Sequence, residues 1–175
     1  MEMLYISLGI ILILLAYYQY IQPLLIYKKV YKVLSALEKK GFALQVVKNK
    51  QYDFILENEE FIFLVRYLSV PKNAMITINS KNTWVLGWGA NPHNKGKGYP
   101  HTRYLSELKS FLNGEIKKEK KTIKLILIYP CVDQVIKYLN ESELAIVTSK
   151  DTPYGYKVIN ATEVNDKIDD LLNIK

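Results

Sequence analysis

Few residues of this chain have types and spacing suited to chemistry. Asp53 stands in Tyr52-Asp53-Phe54-Ile55-Leu56, and Arg66 in Phe61-Ile62-Phe63-Leu64-Val65-Arg66-Tyr67-Leu68-Ser69-Val70, two apolar runs that read as adjacent strands. A charged Arg in so apolar a strand needs a partner or a route to water, so Arg66 and Asp53 are expected to approach each other or a shared polar pocket. Arg66 is always protonated and cannot act as a base. Further carboxylates come from Glu38, which reads as a helix-surface partner of lysines, and from Glu57, Glu59 and Glu60, which read as a solvated hairpin tip. Asp53, Arg66 and Glu38 are thus the candidates for a catalytic centre, and no metal site is expected.

A second group could contact a polyanion. Residues 89–100, Gly-Ala-Asn-Pro-His-Asn-Lys-Gly-Lys-Gly-Tyr-Pro, place Lys95 and Lys97 among small residues, with His101 and Arg103 just beyond, and Lys117 and Lys118 lie in a charged connector. Small residues let a backbone approach phosphate and the lysines add charge, so these six are the candidate nucleic-acid contacts. The spacing is not that of a Walker loop, which needs a Ser or Thr after Gly-Lys. Glu115 and Glu119 dilute the second cluster, and Trp84 and Trp88, alternating on one strand face, read as core or sheet surface rather than as base-stacking rings. Cys131, after Tyr129-Pro130 and with no sequence-near base, is expected to be a buried small hydrophobe.

Composition excludes several classes. The chain has 175 residues, 49% of them hydrophobic, enough for one packed domain with an appendage. One cysteine forbids an internal disulfide, and one cysteine with two histidines does not fill a structural zinc site. The net charge of +7 comes almost wholly from lysine, with Arg66 and Arg103 the only arginines. Lys, Ile, Asn and Tyr enrichment together reads as an AT-rich coding bias, so the balance itself argues only weakly for a nucleic-acid or anionic-lipid partner.

The elements that must position these residues begin with a membrane segment. Met3 to Tyr27 is a run of 25 residues without a charge. At about 1.5 Å per residue it crosses a hydrocarbon core of about 30 Å. Tyr17, Tyr18, Tyr20 and Tyr27 lie toward its C-terminal half and Lys28, Lys29 and Lys32 follow, which predicts a cytoplasmic C-terminal part and an outward N-terminus. A secretory signal peptide would instead carry a basic start and a shorter apolar core. The boundaries are therefore 1–27 for the transmembrane helix, 28–41 for an amphipathic connecting helix ended by Gly41, and 42–175 for a cytoplasmic α/β domain. Pro23 is expected to kink or restart the helix.

Within that domain the pattern predicts strands over 42–48, 52–57, 60–70, 74–78 and 83–88, and a helix containing Tyr104, Leu105, Leu108, Phe111 and Leu112. It continues with a strand over 122–129, a helix near 132–139, strands over 144–148 and 156–159, and a terminal helix capped by Thr162. The run Phe61 to Val65, apolar at both parities, marks a central strand.

This order, with Asp53 on one strand and Trp84 and a turn-rich loop before His101, resembles the PD-(D/E)xK nucleases and, more closely, their nuclease-related (NERD) branch, in which a membrane helix is a frequent companion. The resemblance implies a restriction-endonuclease-like mixed sheet flanked by helices. It also implies a Mg²⁺ site built from Asp53 and a carboxylate-x-Lys on the next strand. That strand carries Arg66 and no acid, and one carboxylate does not hold Mg²⁺ against a phosphate. The expectation is a catalytically silent, membrane-anchored module binding nucleic acid or a protein, with no cofactor. Its alternatives are a Mg²⁺-dependent nuclease whose second acid has moved to Glu38 or Glu57, and a pure protein-interaction domain. Oligomeric state is left open.

The membrane reading has a direct check. Full-length protein should stay with membranes through alkaline carbonate extraction, and release into the supernatant would contradict it.

Overall fold

The structure, a computed structural model, describes residues 2–47, 51–89, 98–114, 120–140 and 143–172. The apolar run forms α1 (Glu2–Ala16), a π-helical turn at Tyr17–Ile21 and α2 (Gln22–Ser35) without interruption. Pro23 lies in the first turn of α2. A proline ring there collides with the carbonyl four residues back, at Gln19, which belongs to the wide turn; the i−5 bond from the Gln22 N–H to the Tyr17 carbonyl is the local adjustment. The helix is therefore continued rather than broken. Among the described residues, one helix is long and apolar enough to cross a membrane. α2 passes into a 3₁₀ turn at Ala36–Lys40, closed by Gly41 at φ 84°, where the left-handed backbone favours glycine.

The rest is two mixed sheets of five strands, where the sequence suggested one. The first contains β1 (Ala43–Val46), β2 (Phe54–Glu57) and β3 (Phe61–Ser69) as an antiparallel meander, then β7 (Lys121–Tyr129) and β10 (Tyr156–Asn160) in parallel. β3 is the central strand of that sheet, as its two-sided apolar run predicted. The second has the order β6 (His101–Tyr104), β5 (Thr83–Trp88), β4 (Ala74–Ser80), β8 (Gln134–Tyr138), β9 (Leu144–Ile146). β3 turns into β4 through Pro71, and β7 turns into β8 through Pro130. Since β3 runs parallel to β7 and β4 to β8, the two reversals stack as paired arches. The Val70 N–H donates to the Tyr129 carbonyl at 2.9 Å and the Asp133 N–H to the Ala74 carbonyl at 2.8 Å, tying arch to arch. Asn73, at φ 53°, makes the tight corner of the first.

The arches lay the sheets face to face. Leu64, Leu68, Ile126 and Val158 of the first sheet share one core with Ile76, Ile78, Trp84 and Leu86 of the second. Leu105, Leu108, Phe111 and Leu112, on or beside a 3₁₀ turn at Ser106–Leu108 and the short α3 (Lys109–Asn113), fill the same space. A second core lies on the other side of the first sheet, where Val30, Leu34 and Leu37 together with Val164, Ile168 and Leu171 cover Phe54, Phe63, Val65, Leu125 and Leu127. The architecture is thus a helical layer over two stacked sheets. α4 (Ile168–Leu172) belongs to that helical layer.

Several sequence expectations change. Residues 134–138 form a strand, not a helix, because the ladder offered by parallel β4 overrides a short run that suits either state. His101 to Tyr104 is a strand paired with β5, so Tyr104 precedes the helix rather than lying on it. Thr162 caps nothing: residues 161–166 are turns, and α4 starts at Ile168. Cys131 is exposed at the second arch.

Two lysines are structural rather than surface charges. Lys124 donates to the carbonyls of Phe111 at 2.7 Å and Leu112 at 3.3 Å, ending α3, while the Tyr156 hydroxyl donates to Leu112 at 2.7 Å. Lys157, fully buried, donates to the carbonyls of Ser149, Lys150 and Asp170 at 3.0–3.1 Å. Burial holds its ammonium below the ordinary lysine range, against the pull of Asp151 and Asp170. The folded state therefore binds that proton less tightly than the unfolded chain. Its contribution to stability rises as pH climbs from the folded value toward the ordinary one. Lys157→Ala should cost about 3 kcal/mol in denaturant unfolding at neutral pH, through three carbonyls left without their donor, and should abolish that alkaline rise.

Candidate functional site

Asp53 enters β2 with its backbone already committed: its N–H donates to Val65 at 2.8 Å and its carbonyl accepts from Val47 at 3.0 Å. Phe54 pairs with Val65, so Asp53 falls directly opposite Arg66. Arg66 Nη1 donates to Asp53 Oδ1 at 3.0 Å, and the Tyr67 N–H donates to Oδ2 at 3.0 Å. The two residues approach each other, as the apolar setting of Arg66 predicted, and their side chains, 22% and 18% exposed, are largely withdrawn from water. Burial pushes the Asp53 carboxyl above its ordinary range, opposed by the Tyr67 N–H and the Arg66 charge. Arg66 Nε is buried without an acceptor.

The pair extends into a row of alternating charge. Arg103 binds Glu107 with contacts of 2.7 and 3.0 Å, and although burial alone would raise the Glu107 carboxyl, its bonds with Arg103 and the fields of Arg103 and Arg66 hold it below the usual range. On the other side lies an aromatic cluster: the Tyr27 ring stacks on Phe54 at 5.3 Å and meets Tyr67 edge-on at 6.4 Å. Asp53 and Arg66 therefore sit where the long helix first touches the domain.

This geometry separates the three catalytic candidates. Glu38 is exposed in the 3₁₀ turn at the far end of α2. It lies eleven residues beyond Tyr27, or about 16 Å along a helix at 1.5 Å per residue. Glu57 pairs with Lys120 at 2.7 Å. Two residues before Arg66, on the same strand face, stands Leu64, fully buried. Both Asp53 oxygens already accept bonds, and among the described residues no three His, Cys, Asp or Glu side chains gather as a metal site. The arrangement holds two strands and a helix in register.

Of the nucleic-acid candidates, His101 and Arg103 lie among the described residues. Lys95, Lys97, Lys117 and Lys118 lie outside the described residues. His101 packs against Trp88 with ring centroids 5.5 Å apart, and the Arg103 charge is balanced by Glu107. A cleft of about 200 Å³ opens between the β9 and β10 edges. Among its polar side chains, Asn160 accepts from the Val132 N–H at 3.0 Å and donates to its carbonyl at 3.3 Å, and Glu163 pairs with Lys167 at 2.8 Å.

Comparison with family models, curated proteins and solved structures finds no match to this chain.

Sequence reasoning found the Asp53–Arg66 pair but missed the carbonyl-binding roles of Lys124 and Lys157. The only signal was a lysine inside an otherwise apolar strand pattern. A double-mutant cycle tests the pair. Arg66→Ala should cost about 1–3 kcal/mol by leaving a partly buried carboxylate without its cation, and the Asp53–Arg66 coupling should be about 1 kcal/mol. Additive single losses would contradict it.

Proposed function

We propose that this chain is a single-pass, membrane-anchored and non-catalytic module of nuclease-like topology that binds a protein partner beside the membrane surface. The topology is supported by the order of elements: a helix, the β1–β2–β3 meander, a crossover ending in α3, then parallel β7 and β10. The observation that carries the loss of catalysis is the Asp53–Arg66 ion pair beside buried Leu64, where a nuclease of this kind would need a second acid. An internal cation occupies the place of a bound one.

Anchoring rests on the uncharged run and the lysines after it. If about 20 residues from Met3 fill the hydrocarbon, the helix leaves it near Gln22. Ile26 and Tyr27, four to five residues on, already pack against the domain core. That is about 6 Å of helix, so the domain base lies within the headgroup layer and the partner meets it there. A protein partner is favoured over nucleic acid because Arg103 is paired with Glu107 and Lys124 is held by carbonyls.

The test incubates detergent-solubilised full-length chain with plasmid, single-stranded DNA and RNA, with Mg²⁺ or Mn²⁺, beside Asp53→Ala. No metal-dependent cleavage is expected from either. Cleavage by the parent that disappears in Asp53→Ala would overturn the proposal and restore the migrated-acid nuclease.

A further inference from the structure

The strand directions give the domain two distinct ends. β3, β7 and β10 run toward the arches, β4 and β8 run away from them, and the registers put Asp53, Trp88, His101 and Asn160 at that same end. The Gly41 stop, the Asn58 hairpin and the Lys81-Asn82 turn lie at the other. α2 runs opposite to β3: Tyr27 meets Tyr67 near the end of the strand, while Phe42, just past Gly41, meets Phe63 near its start. β3 therefore returns in the direction from which the helix came.

We propose that the arch end of the domain, with Pro71, Lys72 and Asn73 on the first arch and Cys131 on the second, docks on anionic phospholipid headgroups of the membrane that holds the helix. This rests on the anchored-module reading and deepens it by naming the docking surface and the charge of the lipid.

Reach is the first support. β3 advances three residues from Tyr67 to Val70, about 10 Å. Gln22, where the helix leaves the hydrocarbon, stands five residues or about 8 Å before Tyr27. The first arch is thus carried back to the headgroup level, and the pairing of Ser69 with Tyr129 holds the second arch level with it. Pro71, Lys72, Asn73 and Cys131 are all exposed.

Charge is the second. Lys72 stands exposed on the first arch, and Lys28, Lys29 and Lys32 are exposed on the helix just past Tyr27. Asp53 is neutralised by Arg66 and Glu163 by Lys167, while Asp133, at the foot of the second arch, is an exposed acid against them. Glu38, Glu57, Glu59 and Glu60 lie at the opposite end. Lysines so placed are drawn to an anionic leaflet. Aromatic side chains are the third support. Tyr27, Tyr52, Tyr67, Trp88 and Tyr129 border the arch end half-buried, and such amphipathic rings favour the headgroup level.

Cys131, the chain's one cysteine, reports on the arch. Full-length chain labelled there with bimane is reconstituted in vesicles of phosphatidylcholine and phosphatidylglycerol containing a lipid with a nitroxide on its headgroup. Quenching at least about fivefold stronger is expected than from a bimane on Cys131→Ser/Asn82→Cys, whose label stands about 20 Å farther along β4. Lys72→Glu, at an exposed side chain, should cut the Cys131 quenching about twofold or more in these vesicles without lowering the unfolding temperature, and Lys72→Arg should match the parent. In phosphatidylcholine alone the difference between parent and Lys72→Glu should vanish. Equal quenching at the two cysteines, or quenching indifferent to Lys72→Glu or to lipid charge, would overturn the proposal. Alkaline carbonate separates causes: a chain that washes off sinks the anchoring and the docking with it, whereas a chain that stays but is not quenched sinks the docking alone.

Discussion

The structure depends on two parallel strand pairings made by the same two stretches of chain. β3 and β7 pair in one sheet, β4 and β8 in the other, and each stretch changes sheet at an arch. Parallel pairing requires a long connection, and here the β4–β5–β6–α3 excursion between β3 and β7 supplies it. The excursion does not hang outside the fold; it supplies three of the five strands of the second sheet. Because Pro71 and Pro130 have no N–H to give a ladder, the chain leaves each first-sheet strand at a fixed point, and the arches stack in register. The five-on-five order of the two sheets follows from that single constraint.

That arrangement creates a difficulty where α3 ends against the first sheet, its last carbonyls partly withdrawn from water. Lys124 and Tyr156, direct neighbours in the β7–β10 register, answer it with an ammonium and a hydroxyl aimed at the same helix end. Lys157, one residue on and hence on the opposite sheet face, does the same for the carbonyls of Ser149, Lys150 and Asp170. A cation at a helix C-terminus is favourable, and in a low-dielectric setting each bond is stronger than in water. Part of the lysine excess that suggests a polyanion partner is thus internal.

Legibility followed periodicity. The apolar helix, the Gly41 stop, the first-sheet meander and β7 were readable because long apolar runs, polar breaks and a glycine cap act locally. The Asp53–Arg66 pair was readable because a guanidinium in Phe61 to Val70 has so few companions. β8 was not, since Val132 to Leu139 suits a helix or a strand and only the non-local ladder with β4 decides. β6 was hidden for a related reason: His101 to Tyr104 is exposed throughout and owes its form to β5 alone. The second sheet as a separate layer could not be read, because no local pattern announces that a chain will fold over itself at Pro71 and again at Pro130.

The position of the ion pair ties these levels together. A helix that continues through the π turn and Pro23 without a break transmits orientation, so the packing of Tyr27 on Phe54 and Tyr67 sets how the domain is held relative to the helix. Phe54 and Tyr67 are the immediate successors of Asp53 and Arg66. Asp53 accepts from the Tyr67 N–H, so one carboxylate fixes the guanidinium on one side of the sheet and the backbone under the aromatic contact on the other. Without Arg66, Asp53 would be a half-buried carboxylate beside an apolar face, a costly place for an uncompensated charge. Arginine restores neutrality there with a cation that does not lose its proton. The pair thereby makes a rigid junction between helix and sheet.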